Sequence, residues 1–80
     1  MASATAELVE YLARRLVEKP DDVRVDEDEE DGELVLRLTV APEDLGRVIG
    51  RGGRIARALR TVVRACGANE DRRVVLEIVD

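Results

Sequence analysis

The chain has 80 residues, 45% of them apolar, and a formal net charge of −5; a chain this short buries only about 60% of its unfolded surface, which allows one core and excludes two. Tyr11 is the only aromatic residue, Cys66 the only cysteine, and histidine is absent. An aromatic base-stacking platform, an internal disulfide and histidine-based catalysis are therefore excluded. The segment from Met1 to Leu8 has neither a basic region nor an apolar run, and no stretch is apolar over a membrane's thickness, so a cytoplasmic protein with no membrane partner is expected.

In chain order, Leu8, Leu12 and Leu16 recur at i, i+4, i+8 with Val9 and Ala13 beside them, which predicts an amphipathic helix over residues 5–18, ended by Pro20. Val23 and Val25 alternate with charged residues. After a turn placed at Asp28 to Gly32, Leu34, Leu36, Leu38 and Val40 alternate with Val35, Arg37 and Thr39, so a hairpin with one buried face is expected. Pro42 suits the first turn of a short helix ending near Ile49, with Glu43 and Asp44 complementing its dipole. Arg54 to Cys66 resumes a helix on the stripe Ile55, Ala58, Leu59, Val62 and Cys66, with Gly67 as its C-terminal cap. Val74 to Val79 is nearly continuous in β-branched residues and predicts a strand buried on both faces. The order is α-β-β-α-α-β. An α+β fold is expected, one domain over residues 1–80, in which a three-stranded mixed sheet carries the helices on one face. The last strand lies parallel to Leu34–Val40 and the first antiparallel to it.

Charge is strongly segregated. Between Asp21 and Glu33 stand nine acids and one base, Arg24; from Leu45 to Asn69 stand six arginines and no acid. A negative net charge alone disfavours a polyanion partner, but the second stretch has the composition of a phosphate-binding surface.

That stretch contains Gly50-Arg51-Gly52-Gly53, a Gly-x-x-Gly turn between two helices. Glycine lets a sugar-phosphate backbone approach the main chain, and the free N–H groups opening the second helix attract phosphate. Arg51 and Arg54, with Arg47 close by, add charge-assisted hydrogen bonds to phosphate oxygens. On a helical wheel Arg54, Arg57, Arg60 and Arg64 share one arc opposite the apolar stripe. An ordinary solvated helix intersperses acids to gain i, i+4 pairs, and this one has none.

The run from Val48-Ile49-Gly50-Arg51-Gly52-Gly53-Arg54-Ile55 through Ala65 resembles the KH domains, specifically the small bacterial single-KH proteins of the KhpA type, and the element order is similar to the type II KH topology. The resemblance implies that the loop from Gly50 to Gly53, with Arg47, Arg51, Arg54 and Arg57, clamps about four nucleotides of single-stranded RNA while the bases lie in an apolar groove. Leu45, Val48, Ile49 and Ile55 would line part of that groove, and the acidic hairpin turn, Asp26 to Asp31, would border it and repel RNA. Gly52 stands where the family usually has a polar residue, which implies a looser loop. The resemblance further implies an RNA-chaperone role, a homodimer, and a heterodimer with a larger Jag-type KH protein in cell elongation and division.

Other classes fit less well. An enzyme lacks its nucleophiles and bases: Ser3 lies in a terminus and Cys66 on the apolar stripe. No cofactor or metal is expected, since Asp26 to Asp31 lack calcium-loop spacing and no Lys-Ser or Lys-Thr follows Gly53. A DNA-reading helix-turn-helix shares the two helices and arginines but not the flanking strands. A protein-interaction module remains the third alternative.

Overall fold

A computed structural model describes residues 3–80. Helix α1 (Ala4–Leu16) is followed by strands β1 (Arg24–Glu30) and β2 (Glu33–Thr39), helices α2 (Leu45–Ile49) and α3 (Arg54–Asn69), and strand β3 (Val74–Ile78). The reading of the segment from Met1 touches residues 1 and 2, which lie outside the described residues. The sheet order is β1-β2-β3, with β1 antiparallel and β3 parallel to β2. This is the expected α-β-β-α-α-β order and mixed sheet.

Leu34, Leu36 and Leu38 on β2, with Val74 and Leu76 on β3, bury one face of the sheet against Ala6, Val9 and Ala13 of α1, Val48 of α2, and Leu59 and Val63 of α3. The opposite face is largely polar. There Arg37 reaches Asp28, Glu30 and Glu77, joining all three strands. Those carboxylates, Glu30 first, hold the Arg37 guanidinium above its ordinary range.

Several boundaries differ from the sequence reading. The Ser3 hydroxyl caps α1 by accepting from the Ala6 N–H at 3.0 Å. The helix stops at Leu16 rather than Glu18, because Val17 turns extended and the next two N–H groups, of Glu18 and Lys19, donate to Asp44 instead. Its buried face centres on Ala6, Val9 and Ala13, with Leu12 and Leu16 only partly buried. The acidic run is strand, not turn. β1 continues to Glu30, and the reversal is confined to Asp31 and Gly32, both at positive φ (53° and 82°), the two-residue form that Asp-Gly favours. An outer strand tolerates such a row of acids because its free edge faces water.

On α3 the buried residues are Ala56, Leu59, Val63 and Gly67, while Ile55, Val62 and Cys66 are half-buried and Ala58 is exposed. The buried stripe is rotated by about one residue from the expected one, and runs through Ala56, Leu59, Val63 and Gly67. Gly67 is no cap: it lies inside the helix, and a Cβ there would stand 2.9 Å from the Arg72 carbonyl oxygen and 3.2 Å from the Val74 nitrogen. Its glycine admits the returning chain, and Asp71 (φ 57°) takes the left-handed position instead. β3 is an outer strand with one covered face; Glu77 and Val79 are exposed. The expectation of burial on both faces fails because helices lie on one side only.

Candidate nucleic-acid interface

The site is built on the α2–α3 pair. Pro42–Asp44 forms one 3-10 turn that leads into α2, and Asp44 fixes that turn to the rest of the molecule. Its carboxylate is buried, accepts from the Glu18 N–H at 3.1 Å and the Lys19 N–H at 3.0 Å, and meets Arg47 Nε at 3.3 Å. Nearby, Lys19 Nζ donates to Glu43 at 2.6 Å; this contact raises the Lys19 pKa and lowers that of Glu43. Both groups are in water, so the pair is salt-sensitive and weak. Fully buried Val48 anchors α2 from below.

The loop needs its glycines for distinct reasons. Gly50 adopts φ 77°, ψ 170°, and a Cβ there would lie 2.7 Å from Ile55 Cγ1 and 2.9 Å from the Ile55 nitrogen. Only glycine fits. Gly52 (φ 63°) and Gly53 (φ 80°) are left-handed too, but around Gly52 the space is open. The Gly53 N–H donates to the Gly50 carbonyl at 3.1 Å, and Arg57 Nη1 donates to the Gly52 carbonyl at 2.9 Å, bracing the loop from the first turns of α3. Among the described residues no side chain caps the start of α3; the Arg54 N–H donates to the Arg51 carbonyl, and the N–H groups of the rest of the first turn have no side-chain cap.

Arg51 and Arg54 are exposed and make no salt bridge among the described residues. Arg47 is differently placed: Glu18 and Asp44 hold its guanidinium. Beside the loop a cleft of about 290 Å³ is lined by Ile49, Gly53, Ala56, Arg57, Arg60, Ile78 and Asp80. Of the four apolar residues expected to line a groove, only Ile49 does so; Val48 is in the core, and Leu45 and Ile55 pack against it. Ile55 serves the site from below, through its contact with Gly50. The sequence reading missed Ala56, Arg60 and Ile78 as cleft residues, because their position follows from β3 being an outer strand beside α3. The helical period did place Arg57 and Arg60 on one face.

The acids lie elsewhere. β1 is the outer strand on the side of the sheet away from β3, and Asp80 is the one acidic residue lining the cleft. The expectation that Asp26 to Asp31 border the groove is thus corrected: β2 separates them from the α3–β3 side.

A family model described as KhpA/KhpB, KH domain, matches residues 6–78. The "RNA-binding protein KhpA" of Clostridium perfringens is 52% identical over 73 residues, covering 91% of this chain and 97% of that protein. Its namesake in Aquifex aeolicus is 50% identical, covering 98% and 99%, and that of Treponema pallidum is 46% identical over the full length of both. Among solved structures, Aquifex aeolicus Era bound to GDP.AlF4- aligns with TM-score 0.62 at 23% identity, covering 92% of this chain and 29% of Era. Era in complex with MgGDPNP and nucleotides 1506-1542 of 16S ribosomal RNA aligns with TM-score 0.61 at 26% identity, covering 92% and 28%. The chain spans less than a third of either Era chain.

Proposed function

The chain belongs to the KhpA/KhpB KH-domain family, and from that premise we propose that it binds single-stranded RNA through the Gly50–Gly53 loop. The observation that carries this reading is the loop itself: a left-handed turn, open around Gly52 and braced from behind, with Arg51 and Arg54 at its mouth and the start of α3 beneath it, neither arginine ion-paired and no side chain capping α3 among the described residues. Backbone N–H groups and the two guanidinium groups hold phosphates. Bases descend into the cleft against Ile49, Ala56 and Ile78. Arg47 is held by Glu18 and Asp44, which offset its charge, so it contributes less to phosphate binding than Arg51 and Arg54.

The outer edge of β3 supplies hydrogen-bonding groups to the bases. Arg73 and Val79 bond inward to β2, through Leu34 N–H to Arg73 O and Val79 N–H to Leu38 O, so by alternation the backbone groups of Leu76 and Ile78 point outward; Arg60 Nε occupies the Leu76 carbonyl at 3.4 Å, which leaves the groups of Ile78 and the Leu76 N–H to the bases. Contact is aliphatic rather than aromatic, since Tyr11 lies exposed on α1; without stacking worth about 1–3 kcal/mol per base, affinity stays low and exchange fast. Those properties suit an RNA chaperone. They support neither a catalytic role nor a helix-turn-helix reading, in which the helix pair would not be framed by strands. Family resemblance supports a cytoplasmic protein that forms a homodimer and pairs with a larger Jag-type KH protein in cell elongation and division.

Fluorescence anisotropy with short single-stranded RNA, single-stranded DNA and duplex DNA tests the reading. Single-stranded RNA should bind best. Its affinity should fall with salt at a double-logarithmic slope of about −2 to −3, from three or four phosphates at about −0.7 each. Preference for duplex DNA, or a slope near zero, would refute it.

A further inference from the structure

Arg47 precedes Gly50 by about one helical turn, roughly 4.5 Å along the axis of α2, so a guanidinium turned toward the loop would be within reach of a phosphate held there. It is turned to two carboxylates instead, and they hold it differently. Asp44 meets Arg47 Nε at 3.3 Å from a side chain only 2% exposed, and its oxygens also accept from the Glu18 and Lys19 N–H groups. Glu18 accepts from Arg47 Nη2 with a side chain that is 70% exposed. Asp44 thus anchors the inner part of the guanidinium, while Glu18 occupies an end that a phosphate could take. Resting on the proposed RNA-binding role, we infer that Glu18 sets the affinity of the glycine loop by standing in for one phosphate on Arg47.

The chemistry of the exchange supports this. A carboxylate and a phosphodiester offer a guanidinium the same pair of anionic oxygens, so RNA that recruits Arg47 must give up one charge-assisted contact to make another. The net gain is small. Arg51 and Arg54 have no such pair to break among the described residues, and their contacts count in full. Glu18 reaches Arg47 from twenty-nine residues earlier in the chain, and so brings an acid to the stretch from Leu45 to Asn69 that has none of its own. A purely structural tie is the less favoured reading. The Glu18 N–H joins the exit of α1 to Asp44 whatever side chain follows, and an exposed ion pair adds little stability.

Glu18→Gln keeps the shape of the side chain and removes its charge. Affinity of the full chain for a single-stranded RNA eight-mer of one base type should rise about fivefold, the scale of an exposed ion pair. The double-logarithmic salt slope should steepen by about 0.7, one further phosphate contact. Glu18→Ala, which removes the acceptor altogether, should gain at least as much, and urea unfolding of both should stay near wild type. In an Arg47→Ala background, Glu18→Gln should change affinity less than about twofold and leave the slope alone, since the gain runs through Arg47. Unchanged affinity and slope in both folded variants, beside a wild type that binds RNA, would overturn the role of Glu18 alone. So would an equal gain with and without Arg47, which would reduce Glu18 to a diffuse negative charge, and so would unfolding of both variants, which would make the pair a structural tie. A wild type that binds no RNA would overturn the RNA-binding role as well.

Discussion

Strands β1 and β3 are the two outer strands of one sheet, yet they meet opposite electrostatic surroundings. Along β1 nearly every position is acidic, and the nearby cations are engaged: Arg24 by Asp26, Arg72 by Glu29, and Arg37 by Asp28, Glu30 and Glu77. Beside β3 stand Arg51, Arg54, Arg60 and Arg64, without a carboxylate partner among the described residues. A net charge of −5 therefore describes neither side. Pairing, more than the count of charges, separates a surface that is internally satisfied from one that awaits a ligand: the acids carry a local ion network while the arginines are left over.

The sharpest way to break the contrast is Arg51→Asp with Gly52→Asp. Space around Gly52 is open and aspartate already occupies the left-handed region at Asp31 and Asp71, so the fold should survive with a loss of about 1 kcal/mol from the positive φ at Gly52. RNA affinity should drop about a hundredfold, the loss of charge-assisted bonds worth about 1.5–3 kcal/mol each. Undiminished binding by the folded variant would remove the loop from the mechanism.

Gly50→Ala acts through the backbone. Its Cβ would meet Ile55 in a conformation that side chains avoid, and urea unfolding should show a loss of about 2–3 kcal/mol. A neutral result would mean that Ile55 can move aside and that the loop geometry is adaptable. Asp44→Ala should cost about 2 kcal/mol by the same measurement, since it strands the Glu18 and Lys19 N–H groups. Asp44→Asn should recover part of that loss through its amide oxygen, and full recovery would show that the negative charge contributes nothing.

The smallest effect is expected from the acidic strand. Exchanging Asp26, Asp28 and Glu30 for Asn or Ser should change RNA affinity less than about twofold at 0.1 M salt, because β1 lies about 10 Å from β3, one screening length. At 0.01 M, where screening reaches about 30 Å, a modest tightening should appear. A severalfold gain at the higher salt would bring β1 back into the binding surface.

Much of this was legible in the sequence: the element order, the sheet pairing, the glycine loop and the acid-free arginine helix all follow from local pattern. What escaped depends on partners distant in the chain. Asp44 reads as a dipole-complementing acid at a helix start, while its oxygens serve N–H groups about twenty-five residues earlier. Gly67 has the look of a cap because glycine usually ends helices, and only the returning chain at Arg72 and Val74 gives its real reason. The run from Val74 to Val79 resembles a doubly buried strand since composition does not reveal that one layer of helices is missing. On β1, five successive acids, Asp26 to Glu30, outweighed the Asp31-Gly32 signal that correctly marks the turn.

The bond from Arg57 to the Gly52 carbonyl bears on how fast RNA is captured. Glycine loses more conformational freedom on ordering than any other residue, and a loop with glycine at three of its four positions would ordinarily surrender that freedom when ligand arrives. Here Arg57 and the Gly53-to-Gly50 hydrogen bond have ordered the loop already, at folding. Encounter with RNA then leaves only the RNA to be immobilised. Preorganisation of this kind should let a site with few contacts associate near the rate its charge allows, with brief residence as the consequence of a small interface.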